Sequence, residues 1–347
     1  MLVMGFYNLT LLLGIVILYF SSDWFIAWIL VEISTLSIII ILSGCSSPRG
    51  VESTVKYFVV QALASVVLLM GILYSSETNG FSLIFSSYDM VSYSLILGAI
   101  FIKLAVFPNP FWFVDVVSGL DFARGAYVVI LSKLIPVYLY YLVGGNLGFI
   151  VILVGLSSAL YGGLLGINQT NIRKVIALSS VSHMGWVVLS FPVLSGLGCF
   201  FVFFSYGLML VPLFWALSSL SLTSLIKAKN SYFSAGLLLV TLISLLSLAG
   251  FPPLLGFFYK WVMFNGLISN GFILVSGSLI LLSLVSLFFY LQVSFSLISV
   301  YWPNLKVFPF WGLSHNKEWW IVIISSVSII LVGVGALFLG LLWAWNA

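Results

Sequence analysis

Five ionisable side chains, Glu32, Lys103, Lys133, His183 and Lys260, interrupt runs of sequence that are otherwise almost wholly apolar. At 1.5 Å per helical residue, Glu32 lies about 12 Å beyond Trp24, and Lys133 about 13 Å beyond Arg124. Lys260 lies about 15 Å from Asn270, and His183 about 15 Å from Arg173. Such depths are near the middle of a bilayer, where a Lys or Glu costs about 2.5–3.5 kcal/mol. Apolar surroundings oppose the charge of a lysine and a nearby carboxylate supports it, so a lysine poised between them exchanges a proton as its partner moves. Several such lysines, linked by water and an imidazole, form a proton relay. Sites that interact this closely titrate as coupled units.

A purely structural reading has Glu32 and Lys103 neutralising each other, the other lysines reaching carbonyls, and His183 buried as neutral imidazole. One glutamate does not neutralise three lysines. Nor does any of them sit at a span end, where a lysine stem snorkels to the interface.

Membrane spans must carry these residues. Of the 347 residues, 63% are hydrophobic and 6% are charged, too few charges to cover a soluble surface. The mean hydropathy is +1.27. Runs of roughly 20 apolar residues recur along the chain, bounded by Ser, Gly, Asn and Pro. They predict an all-α polytopic membrane protein with eleven spans, near 2–20, 24–43, 56–75, 91–108, 124–143, 147–167, 172–194, 197–226, 235–270, 272–300 and 320–345. The first has no basic leader or small-residue cleavage site, so it is expected to remain in the mature chain. The ninth exceeds one straight crossing, and "LAGFPPLLGFF" at 248–258 predicts two half-helices crossing once.

Prolines supply a second pattern. "LAVFPNP" at 104–110 and "LAGFPPL" at 248–254 lie 144 residues apart, in the fourth and ninth spans. A proline break frees backbone groups, which a membrane tolerates only beside water or protein. Transporters place such breaks at their substrate path, in corresponding positions of inverted repeats. The two motifs lie in spans of opposite direction, so repeats over about 1–145 and 146–300 are expected within a single domain, with a C-terminal helix over about 320–345. The alternative is two ordinary proline kinks.

Nine of the twelve Lys and Arg residues lie outside or at the edges of the spans: Arg49, Lys56, Arg124, Arg173, Lys174, Lys227, Lys229, Lys306 and Lys317. With the N-terminus inside, eleven crossings put all nine on the inner side and leave Asp23, Glu77 and Asp89 outside. The apolar, aromatic segments 109–123 and 301–320 read as short helices along the interface.

Cys45 and Cys199 are the only cysteines and form no CxxC, too few for an iron–sulfur cluster or a zinc site. No glycine-rich nucleotide motif occurs. The net charge of +4 lies on membrane loops and midplane lysines, not on a nucleic-acid surface.

"NQTNIRKVIALSSVSHMGWV" at 168–187 and "LSLAGFPPLLGFFYKW" at 246–261 closely resemble the antiporter-like membrane subunits of mitochondrial NADH–ubiquinone oxidoreductase, respiratory complex I. "WILVEISTLSIIIIL", "YFVVQALASVVLLMG" and "LAVFPNPFWFVDVVSGL" support this, and the likeness covers nearly the whole chain. By this resemblance Glu32 is the family's glutamate, paired with the broken-helix lysine Lys103. Lys133 is the central lysine, Lys260 the terminal one, and His183 the polar bridge between those two. The resemblance implies the shortened bilaterian-animal form, without three further N-terminal helices. A histidine common in the family near the second proline is replaced here by Asn109 and Pro110, leaving its proton-uptake role unfilled.

The function so implied is that of a core membrane subunit of the proton-translocating NADH:ubiquinone reductase (EC 7.1.1.2), in the mitochondrial inner membrane with its N-terminus in the matrix. NADH, FMN, iron–sulfur clusters and ubiquinone would be used by other subunits, and this chain would bind none. Its expected partners are neighbouring complex I membrane subunits and lipid. The alternative is a stand-alone cation/proton antiporter, which would want converging carboxylates where only Glu32 is available. An inert scaffold would leave the midplane lysines unexplained.

Overall fold

Long runs of Leu, Ile, Val and Phe without charge satisfy their backbone groups in a membrane only by closing them within helices. The computed structural model of the chain is accordingly helical, and it describes residues 2–301 apart from 46, 80–82, 85–87, 146, 168, 221–234 and 253. The expected span 320–345, the segment 302–320, Lys227, Lys229, Lys306, Lys317 and Pro253 therefore lie outside the described residues. Among the described residues seven helices are long and apolar enough to cross a membrane, and three shorter ones, Tyr7–Phe20, Met90–Leu104 and Leu237–Ala249, are also apolar. The protein is a multi-pass, all-helical membrane protein.

The chain divides into two compact units, Met1–Gly162 with Ile176–Val193, and Gly163–Val175 with Leu194–Ala347. In the first, α1 (Leu2–Phe20) and α2 (Trp24–Ser43) pack as a hairpin, and α2 packs on α3 (Pro48–Asn79). The most extensive packing is between α3 and α4 (Met90–Leu104). Beyond a break come α5 (Phe111–Gly119) and α6 (Phe122–Val129), then a 3-10 turn (Leu131–Lys133) leading into α7 (Leu134–Val143). Most of α8 (Phe149–Gly166) and of α9 (Ile172–Ser190) also belongs to this unit, up to Gly162 and from Ile176. Almost all of α9 is buried. Its serines 179, 180 and 182 satisfy themselves by donating to carbonyls one turn back, and Val188 O accepts from Tyr140 Oη at 2.6 Å.

The second unit contains α10 (Gly196–Leu220), α11 (Ala235–Ala249), α12 (Leu255–Ser269) and α13 (Ile273–Tyr301). Here α11 packs on α10, α12 and α13. The start of α12 passes so close to the last turn of α11 that a Cβ at Gly256 would overlap the Ser247 carbonyl. Only glycine allows that approach.

Three expectations need revision. The fourth span stops at Leu104 rather than 108, because a left-handed Ala105 (φ 58°) turns the chain three residues before Pro108. The fifth is not continuous over 124–143 but is interrupted at 130–133. Pro136 explains this: it has no N–H to offer the Ser132 carbonyl, and its ring obstructs the straight helical path. The third helix is longer than 56–75 at both ends. The segment 109–123 does form a helix, α5, but its Trp112, Phe113, Val116 and Val117 are buried and it packs on α3 and α6. Its Asp115 points outward to Lys56, at 3.6 Å.

Candidate proton-relay residues at helix interruptions

Lys103 and Lys133 sit where a helix ends or is interrupted, and Lys260, inside α12, reaches back to the end of α11. At the end of α4, Ala105 N–H donates to Ile102 O and Val106 N–H to Phe101 O, both at 3.1 Å. At the end of α11, Gly250 N–H donates to Ser247 O at 3.0 Å and Phe251 N–H to Leu246 O at 3.2 Å. Both are the same Schellman closure, with a positive φ at Ala105 and at Gly250 (φ 84°). Such a closure pairs two of the last carbonyls and leaves the terminal ones available. The aligned carbonyl dipoles also leave partial negative charge at the helix end, a favourable place for an ammonium.

Lys260, on α12, uses that feature. Its Nζ donates to Ala249 O, the last residue of α11, at 2.8 Å, and the side chain is buried. Lys103 lies in the last turn of α4, 2% exposed, and donates to the α3 carbonyl of Gln61 at 3.3 Å. Glu32, partly buried on α2, acts on Lys103 through its charge. The two are not in direct contact: the described ion pairs are Lys56 with Glu52 and Asp115, and Arg124 with Asp121.

Lys133 is different. It closes the 3-10 turn caused by Pro136, is 0% exposed, and its Nζ has no hydrogen-bond partner among the described residues. The ammonium instead lies over the Phe113 ring, 4.3 Å from its centroid. His183 is buried on α9, 4% exposed. Glu32, Lys103, Lys133 and His183 thus belong to the first unit and Lys260 to the second.

Sequence reasoning missed several residues that hold these groups. Pro136 was legible as a helix breaker one turn beyond Lys133. Phe113, Gln61 and the Ala249 carbonyl carried no local signal, because their contacts come from elements distant in sequence. Gly250 was legible only as part of a proline-rich break. Arg124 also ties elements together, donating to Gly44 O at 2.6 Å and Cys45 Sγ at 2.5 Å at the end of α2. Among the described residues no cluster of His, Cys, Asp and Glu could hold a metal ion.

Residues 21–289 match the transmembrane family of NADH:quinone oxidoreductases and Mrp antiporters. The chain belongs to this family. It is similar to NADH-ubiquinone oxidoreductase chain 2 of Paracentrotus lividus, 34% identical over 94% of this chain and 95% of the relative. The likeness to chain 2 of Struthio camelus is 34% over 96% and 97%. In fold it resembles a chain of respiratory complex I from Thermus thermophilus with bound aureothin, with a TM-score of 0.82, 22% identity, and coverage of 96% of this chain and 78% of that one. Family membership agrees with the expectation drawn from the stretches at 168–187 and 246–261.

Proposed function

We propose that this chain is a membrane subunit of the proton-translocating NADH:ubiquinone oxidoreductase of the mitochondrial inner membrane, of class EC 7.1.1.2. Electrons pass from NADH through FMN and iron–sulfur clusters to ubiquinone in other subunits, and this chain converts the resulting signal into proton movement. The observation that carries the reading is that all three membrane lysines are buried beside helix interruptions: Lys103 in the last turn of α4, Lys133 at the 3-10 turn, and Lys260 with its Nζ on the last residue of α11. There an ammonium meets a backbone carbonyl or an aromatic face, and a small backbone shift changes its partners. Likeness to the chain 2 relatives over about 95% of the sequence supports the assignment to the complex.

In this reading protons pass among Glu32, Lys103, Lys133, His183 and Lys260, with Lys133 loaded from the matrix and Lys260 releasing outward. Release works against the membrane potential, about 2.3 kcal/mol per charge per 100 mV. Eleven spans with the N-terminus in the matrix, repeats over about 1–145 and 146–300, and a C-terminal helix near 320–345 complete the architecture. The matching Schellman closures of α4 and α11 support the repeat. The partners are the neighbouring membrane subunits of the complex and the surrounding lipid.

Purification under mild detergent tests the assignment. The chain is expected to travel with polypeptides that carry flavin and iron–sulfur clusters. Migration without them, together with sodium-dependent proton exchange in vesicles, would instead make it a stand-alone antiporter.

A further inference from the structure

We propose that Phe113 is a positioning residue for Lys133, its ring face holding the ammonium at the interruption before α7. The proposal rests on the relay reading of Lys133. Lys133 is fully buried and finds no oxygen among the described residues, and the group its Nζ meets is the Phe113 ring, at 4.3 Å. The negative face of an aromatic ring attracts an ammonium, most strongly where water is excluded. A leucine of similar bulk would leave the charge facing hydrocarbon.

The ring is itself held in place. Phe113 is 1% exposed and lies edge-on to Trp112, with centroids 5.7 Å apart, and Trp112 in turn meets Tyr57 of α3 at 6.2 Å. Phe113 is the third residue of α5, and α5 begins where the proline-containing break at 105–110 ends. Lys103 lies at the other end of that break, in the last turn of α4. A shift of the break that changes the reach of Lys103 therefore also moves the ring under Lys133. Phe113 is the mechanical link between two consecutive sites of the relay, and no proton passes through it.

The test uses the intact complex in inner-membrane vesicles carrying Phe113→Leu, Phe113→Met, Phe113→Tyr or Lys133→Met. Assembly, the rate of NADH-driven quinone reduction and the protons translocated per electron are measured for each. Phe113→Leu and Phe113→Met, which fill the space without a ring, are expected to lose at least half as much proton yield as Lys133→Met. Phe113→Tyr, which keeps the ring face, is expected to retain the unmodified yield. Wild-type yield in an assembled Phe113→Leu or Phe113→Met complex, with a loss in Lys133→Met, would overturn the role of Phe113 and leave the relay standing. Equal losses in Leu, Met and Tyr variants would also overturn it, since bulk rather than the ring face would then matter. An unchanged yield in Lys133→Met would remove the relay reading and this proposal together.

Discussion

Gly250→Ala perturbs the Lys260 site without replacing a titratable group. Gly250 has φ 84°, a region where an L side chain costs about 1–2 kcal/mol. A Cβ added there would lie 3.0 Å from Lys260 Cδ, 3.1 Å from Nζ and 3.2 Å from Cε, so the lysine must retreat from Ala249 O. A hydrogen bond from a charged group is worth about 1.5–3 kcal/mol, and its loss lowers the docked population of Nζ roughly 10- to 150-fold. The complex should still assemble, because the clash is with the far end of a flexible side chain. Protons translocated per electron, measured in inner-membrane vesicles against the rate of quinone reduction, should fall while electron transfer continues. Gly250→Asn serves as a control, since asparagine tolerates a positive φ better than alanine but carries the same Cβ. It should lose as much proton yield as alanine. An assembled Gly250→Ala complex with normal yield would refute the claim that the Lys260–Ala249 contact takes part in proton transfer.

Other substitutions probe the remaining interruptions. Gly256→Ala sets a Cβ against the Ser247 backbone, which cannot yield as a side chain does, so native gels should show loss of assembled complex. Pro136→Ala restores an N–H that can bond Ser132 O and straightens the path from α6 to α7; proton yield should drop with assembly intact, and normal yield would mean the interruption is dispensable. Glu32→Gln and Lys103→Met should each lower proton yield, and the double variant should fall short of the two losses combined, because the pair acts as a unit. Strict additivity would show that Glu32 and Lys103 are uncoupled.

Much of the helical content was legible because hydrophobic runs near membrane length leave few alternatives, and the ninth span did prove to be two half-helices parted at 250–254. Both proline breaks were visible as motifs. The early end of α4 was not, because Ala105 adopts a positive φ usually left to glycine, and local preference pointed past it to Pro108. The interruption at 130–133 was not read from the sequence: Pro136 was legible as a helix breaker, but the length of 124–143 fits one span, and only the packed chain changes to a 3-10 turn there. The five ionisable residues stood out by cost alone. Their contacts did not: that Lys103 meets a carbonyl of α3, Lys133 a ring of α5, and Lys260 the end of α11 depends on packing between elements that no spacing rule connects.

Whether the buried lysines carry protons is decided most simply by Lys260→Met. Methionine is unbranched and only one atom shorter, and it restores apolar packing while removing the proton site for good. The measurement is the number of protons translocated per electron by the intact complex in sealed inner-membrane vesicles. Assembled complex, continued quinone reduction and a reduced proton yield are expected. An unchanged number of protons per electron, with the complex intact, would contradict a proton-carrying role for Lys260.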